Sequence, residues 1–253
     1  MQEAASVLQY LDWSFWAVVV AAVAVALSQI PPIHLLLKKA KLDFELYSRI
    51  AITHKVGNPN LQFHLIISNV GGRLVKIKGL SVSITRDGQD IGNFPAQNYL
   101  QKPSDTNTVL FTRFSLKPKE EWAHIVNFLS FFNRADEKKY RSSETELRAN
   151  ILNKRDQLEN KDQVVEADNQ YVEPFLEFFN AKFKWHPGEY EMQVCADAEP
   201  KRASVRRSYR FTLFESDSEE LAKHKDDYKY GGGIFFDSAQ YTGVIVPITE
   251  DKA

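Results

Sequence analysis

The chain predicts a mainly-β domain with an α-helical insertion, a β-sandwich set behind one N-terminal transmembrane helix. Three observations carry this. The run WSFWAVVVAAVAVALSQIPPIHLLL, Trp13 to Leu37, has no charged residue between Trp13 and Leu27. From Leu42 to Thr85, and again from Tyr190 to Leu213, apolar and polar residues alternate between turn signals, the period-2 mark of half-buried strands. Between these blocks lies a charged stretch with helical spacing, 118–186.

The anchor comes first in the chain. If the apolar run continues through Gln29 and the Pro31-Pro32 pair to Leu37, it reaches the roughly 20 residues needed to cross a bilayer. Trp13 and Trp16 at one end and Lys38, Lys39 and Lys41 at the other have the character of interfacial anchors. Pro32 pushes Pro31 out of the α region, so the helix kinks or ends there, leaving Leu35 to Leu37 along the interface. Two other readings compete. A signal peptide wants a basic leader, whereas MQEAASVLQYLD carries Glu3 and Asp12 and no Lys or Arg. A buried core helix suits the strictly uncharged length, but not the Trp pair followed by a lysine cluster. Basic residues follow the run and none precedes it. The positive-inside rule then places the C-terminal part in the cytoplasm and leader 1–12 outside an inner membrane. The lone Cys195 fits a reducing compartment.

Behind the anchor (13–37) some 210 residues remain, enough for one large domain. Acidic and basic residues nearly balance, 33 against 32, and are interspersed, so no basic stripe points to nucleic acid. Seventeen Phe in a chain that is 12% aromatic argue for a packed core rather than disorder.

Taken in order, Leu42, Phe44, Leu46, Ile50 and Ile52 share one face of a first strand. A turn at 57–60 leads to Leu61, Phe63, Leu65 and Ile67, and Gly71-Gly72 reverses the chain into Leu74 to Thr85. There the apolar phase slips at Gly79, the sign of a bulge or a switch between sheets. Arg86-Asp87-Gly88-Gln89 is a hairpin turn. Residues 90–107 read as loop with a short edge strand at Ile91 to Phe94, and Thr108 to Leu116 as a strand. Pro118 opens an expected helix in which Trp122, Ile125, Val126, Leu129 and Phe132 form an amphipathic stripe. The charged arm 134–163 carries a thin seam of Tyr140, Leu147, Ile151 and Leu158, and an aromatic helix follows over Tyr171 to Phe183. Strands at Tyr190 to Val194 and Val205 to Leu213 close the domain, 42–214. The segment 215–253 supplies a capped helix, a Gly231 to Gly233 hinge and short strands.

The run LQFHLIISNVGGRLVKIKGLSVSI resembles the early hairpin of bacterial immunoglobulin-like domains, and PGEYEMQVCA is similar to their penultimate strand, with Tyr190 as corner tyrosine. The resemblance covers about 100 residues and implies an immunoglobulin-like sandwich. Tyr190 stands five residues before Cys195, not two, so the disulfide-bearing pattern is absent. Such folds host adhesion, scaffolding and ligand binding alike, so no functional residues carry over.

The search for chemistry returns no catalytic residues and no cofactor. The six histidines never take H-x-x-x-H or H-x-H spacing, which gives no metal ligand set. His54 and His64 flank one turn and invite a face-to-face pair, set against two separate strand-surface histidines. Cys195, expected in a buried strand, reads as inert, and Gly231 to Gly233 lacks the Lys-Ser/Thr of a phosphate loop. Two surfaces stand out. Among Lys201, Arg202, Arg206, Arg207 and Arg210, alternation puts Arg206 and Arg210 on one face: a solvated edge, or a surface for anionic lipid, an acidic partner or nucleic acid. The helical block is the other: FLSFF at 128–132 and FLEFF at 175–179 suit helices that pack on each other or cover the sandwich, or else a partner-binding or membrane-dipping surface. The seam Tyr140, Leu147, Ile151 and Leu158 within it can pair with another helix. The expected protein is therefore single-pass, non-enzymatic and bilayer-bound, an interaction or sensor module for a protein partner in a membrane complex. Its rivals are a membrane-tethered enzyme drawing on His54, His64, Asp87, His124 and His186, and an exported ligand-binding domain.

Overall fold

The computed structural model describes residues 13–29, 39–102, 104–160, 163–237 and 243–251. Helix α1, Trp13–Gln29, has 17 residues and no charged side chain, and at 1.5 Å per residue it is about 25 Å long. It is described as far as Gln29, and residues 30–38, the proline pair among them, lie outside the described residues. Its apolar side chains are exposed all round, Val18 at 69% and Leu27 at 58%. Among the described residues no helix is long and apolar enough to cross a membrane. The part of the expected anchor from 30 to 37 lies outside the described residues, so the structure describes only its first 17 residues. Pro31, Pro32, Lys38 and the Trp13 side chain lie outside the described residues.

The remainder is built on one antiparallel sheet. Its strands are β1 (Leu42–Leu46), β2 (Arg49–Lys55), β3 (Asn58–Asn69), β4 (Val75–Arg86), β5 (Gln89–Leu100), β6 (Val109–Leu110), β7 (Phe114–Leu116) and β8 (Glu121–Leu129). After helices α2 (Arg134–Asp156) and α3 (Asn169–Lys182) come β9 (Gly188–Glu199), β10 (Val205–Leu213), helix α4 (Glu215–Lys223), β11 (Val244–Pro247) and β12 (Thr249–Glu250). The main path runs β11-β2-β3-β8-β5-β4-β9-β10-β12, with β1 beside β3, β6 beside β5 and β7 beside β4.

Alternation decides which way each strand faces. In β3 every second residue from Pro59 through Leu61, Phe63, Leu65 and Ile67 to Asn69 is buried, and in β9 Tyr190, Met192, Val194, Ala196 and Ala198 are. The slip at Gly79 is real: β4 buries Val75 and Ile77, then Leu80, Val82 and Ile84, and its register against β9 shifts between Ile77 and Gly79. At Asp87 (φ 48°) and Gly88 (φ 78°) both turn residues are left-handed, the two-residue hairpin expected there.

The separate sheets of an immunoglobulin-like sandwich are not the arrangement. β5 pairs with β4 through Gln89 to Pro95 and with β8 through Ala96 to Leu100, bending at a bulge. The C-terminal segment does the same, β11 pairing with β2 and β12 with β10. Two segments that serve both halves, β5 and the β11–β12 stretch, join them into one sheet closed nearly into a barrel. The barrel therefore needs residues 244–250 and does not end at 214.

Two further expectations change. Residues 121–129 form β8, central between β3 and β5, not the first helix of an insertion. Trp122, His124, Val126 and Phe128 alternate at period 2 as well, and Trp, Ile, Val and Phe favour a pleated surface. Phe128 stacks on Phe63 at 4.7 Å in the core. The stretch expected as loop from residue 90 is the twelve-residue strand β5.

The barrel has two unlike ends. At the capped end lie the β2–β3 turn, the exposed β4–β5 turn and the last residues of β8 and β10; helix α3 lies over the β2–β3 turn, with the Phe179 backbone against Gly57. Trp185, fully buried, donates from Nε1 to Thr53 O at 2.8 Å, and Ser218 Oγ donates to Trp185 O at 2.7 Å, which pins α4 in place. Tyr190 does behave as a corner tyrosine, its hydroxyl donating to His186 O at 2.6 Å. The other end, called basal below, holds the starts of β1, β4, β8 and β10 and the end of β9. Here the chain arriving from α1 is clamped. Gly71 N donates to Lys41 O at 3.0 Å and Gly72 N to Lys39 O at 3.3 Å.

Candidate functional site

At the capped end a cleft of about 450 Å³ opens where the β2–β3 turn and the last residues of β8 meet α2. A volume of this size is in the range of ligand pockets. Lys55 and Asn60 come from β2 and β3, Phe131 from the β8–α2 connection, and Tyr140, Arg141 and Glu144 from α2. The local reasons are plain. Val56 (φ 48°) and Gly57 (φ 80°) make the tight turn that holds Lys55 and Asn60 at the rim. Asn133 caps α2, its Oδ1 accepting from Asp136 N at 2.9 Å, which starts the helix directly behind Phe131 and Phe132. Phe132 then stacks against Tyr140 at 5.5 Å.

The cleft's polar groups are unevenly satisfied. Arg141 Nε is 2.6 Å from Glu137 Oε1, so that cation is spoken for. Lys55 makes no ion pair among the described residues and sits over the Tyr140 ring, 5.6 Å from its centroid. Asn60 Oδ1 is buried and accepts no hydrogen bond from any described group, an acceptor with a real desolvation cost. Lys55 and Asn60 also border a second hollow of about 230 Å³ with His54, His224 and Asp237. The set suits an occupant that offers an anion to Lys55, an N–H or O–H to Asn60 Oδ1, and an apolar side chain against the Phe132–Tyr140 wall.

His54 lies behind this hollow and is buried. Gly57 N donates to its Nδ1 at 3.0 Å, so Nε2 carries the proton and donates to Leu221 O at 2.8 Å. The ring is held neutral, and burial pulls its pKa down to about 4. The His224 ring lies 4.8 Å away, also pushed down by burial. His54 therefore ties the β2–β3 turn to α4. It does not face His64, which points out of the other side of the sheet on β3. His124 joins the Tyr99 and Trp122 rings, at 4.7 Å from each. His54, His64 and His124 are thus not gathered into one site. Among the described residues no three His, Cys, Asp or Glu side chains are placed to hold a metal ion.

The expected surfaces fare differently. Tyr140, Leu147 and Ile151 are buried in the chain's own core, with Tyr140 OH donating to Ile234 O at 2.8 Å. They are not free to pair with a partner helix, and Leu158 is half-buried beyond the end of α2. Ile234 follows the glycines expected as a hinge, so that segment is packed onto the cap. Arg206 and Arg210 do share the outer face of β10, but Arg210 reaches Asp251 at 2.9 Å and Glu191 at 3.4 Å. Arg207 bridges Asp43 and Glu250. Cys195, expected buried, is half-exposed on the outer face of β9. Trp16 is exposed on α1, and Lys39 and Lys41 are exposed where the chain meets the barrel. The cleft was missed because its walls are some 80 residues apart in the chain; the only local signal was Val56-Gly57-Asn58, a turn sequence.

No family model matches the chain, and no curated protein sequence matches it. Among solved structures it is similar to a protein from Archaeoglobus fulgidus, at 7% identity over 70% of this chain and 98% of that one. The TM-score is 0.27, a likeness too faint to speak to fold or function.

Proposed function

We propose that the chain is a single-pass, membrane-tethered binding module of a bacterial inner membrane. In this reading α1 sits in the bilayer and the barrel holds its cleft in the cytoplasm for a protein partner, without catalysing a reaction. One observation carries it. α1 is uncharged, apolar on every side and exposed, while the barrel's buried core is complete without it. A helix that is apolar all round belongs inside a protein core or a membrane. The 17 described residues alone fall short of a crossing, so this reading takes the anchor to be the whole apolar run Trp13 to Leu37 of the sequence. The basic residues Lys39, Lys41 and Arg49 follow it, which supports a cytoplasmic barrel. The cleft supports a protein occupant, because Phe131, 74% exposed at its rim, is the kind of aromatic that anchors interfaces.

Alkaline extraction of membranes from cells expressing the full chain tests the tether. The wild-type chain is expected to stay with the membranes, and a Val20→Lys/Val23→Lys double variant to be released. Release of the wild type by alkali would overturn the proposal.

A further inference from the structure

The barrel's basal end is where the chain enters from α1. It has a surface chemistry of its own. Val70 and Leu74 flank the Gly71-Gly72-Arg73 reversal and are exposed at 44% and 57%. The loop that presents them is braced. Asn69, fully buried, donates from Nδ2 to Arg73 O and to Leu116 O, both at 2.9 Å, and its Oδ1 accepts from Gly71 N at 3.0 Å. The braced loop thus holds two apolar side chains in solvent at a fixed place.

Cations surround those tips from four separate parts of the chain. Lys39 and Lys41 come from the entering segment and Arg73 from the loop itself, all exposed. The β7–β8 turn adds Lys117 and Lys119, exposed and held beside the loop because Lys119 N donates to Asn69 O at 2.9 Å. The β9–β10 connection adds exposed Lys201 and Arg202, brought to this end because β9 finishes opposite the start of β4, Glu199 against Lys76. The carboxylates at this end are fewer and engaged. Asp43 pairs with Arg207 and Glu199 with Lys78 at 3.2 Å, and Asp197 accepts from Ser204 Oγ at 3.3 Å. Glu120 and Glu121, which keep their charge, accept from Lys117 N at 2.7 Å and Ser68 Oγ at 3.0 Å. Lys201 and Arg202 are near Arg206 and Arg210 in sequence, but the fold places them at the end where the chain enters.

The same end is the one tied to α1. Nine residues, 30–38, separate the helix from the clamped segment, and a chain of that length reaches at most about 33 Å. We infer that the basal face lies flat against the bilayer that holds α1, with Val70 and Leu74 at the headgroup level and the surrounding Lys and Arg side chains on anionic lipid headgroups. The inference rests on the tether proposed above. It gives the barrel a fixed attitude, with the cleft at the far end pointing away from the membrane. Anionic lipid is the occupant argued for because the cations encircle apolar tips and continue from an apolar helix, the pattern of a membrane-surface contact.

The test uses the full chain with Cys195→Ala, reconstituted in nanodiscs that contain a headgroup spin-labelled lipid. A fluorophore is placed at Val70→Cys, or at Gln89→Cys on the opposite end of the barrel. In discs with about one-third phosphatidylglycerol, the probe at 70 is expected to be quenched at least roughly threefold more than the probe at 89. That excess is expected to fall by half or more in phosphatidylcholine discs and in about 0.5 M salt, arms that leave the protein unaltered. An Arg73→Glu/Lys119→Glu/Lys201→Glu variant is expected to behave in phosphatidylglycerol as wild type does in phosphatidylcholine. Equal quenching at 70 and 89 in a chain that has entered the discs would overturn this inference and leave the tether standing. So would an excess at 70 indifferent to lipid charge and salt. A chain that does not enter the discs at all would overturn both.

Discussion

His54 shows how one side chain holds two parts of the molecule. It accepts from Gly57 N in the β2–β3 turn and donates to Leu221 O in α4, so protonation of Nδ1 removes the first bond and puts charge under the cap. Burial lowers its pKa from 6.5 to about 4. Between those values the unfolded chain takes up a proton that the folded ring refuses, so stability falls as pH drops from 6.5 towards 4. Above 6.5 the ring adds no slope. The full effect is about 3 kcal/mol, since each pKa unit is about 1.4 kcal/mol. His224 adds to it in the same direction. Urea titrations of wild type and His54→Asn between pH 7.5 and 4.5 check this. The variant starts less stable and loses less on acidification; equal losses would mean that His54 does not carry the slope. At this scale the sequence was only partly readable. Alternation correctly put Val82, Met192 and Phe211 in the core, but two histidines flanking one turn gave no sign that the sheet separates them, His54 inward and His64 outward.

Among the elements, the entering segment and the β3–β4 loop depend on Gly71. A Cβ there would lie 2.4 Å from Lys39 O and 2.5 Å from Lys41 N, backbone atoms that can only move together. Gly71→Ala is expected to cost about 1–3 kcal/mol. Gly79, at the β4 bulge, has nothing within 4 Å of the same position, and Gly79→Ala is expected to be neutral or slightly stabilising. Paired denaturation curves separate the two glycines, and a Gly71→Ala variant as stable as Gly79→Ala would show that the clamp does not matter. Elements whose patterns had one period were legible: the β3 and β9 alternations, the β4–β5 hairpin and the long helix α2. β8 was not, because Trp122, Ile125, Val126 and Leu129 satisfy a helical stripe while Trp122, Val126 and Phe128 satisfy a strand. Only its place between β3 and β5, which supply both its hydrogen-bond ladders, decides the matter. The α2 seam was legible as apolar but not as occupied, since α3 and Ile234 come to it from later in the chain.

The whole molecule is a barrel with a helical cap at one end and a basic, apolar-tipped face at the other, joined at that second end to an uncharged helix. Barrel closure was the least legible feature. Nothing local in Val244 to Glu250 says that it will pair with β2 and then β10, and β5 changes partners at a bulge that only long-range pairing creates. The cleft follows from that closure, because it is the hollow left where the β2–β3 turn meets α2. The proposed tether, by contrast, rests on the composition of the apolar run. Its most direct test is accessibility labelling of the full chain with Cys195→Ala and Gln157→Cys, at the exposed end of α2. Spheroplasts are treated with a membrane-impermeant thiol reagent, with lysed cells as control, and membranes are then collected. The account predicts protection until lysis, with the labelled chain recovered in the membrane fraction. Labelling of intact spheroplasts, or recovery of the chain in the supernatant, would contradict it.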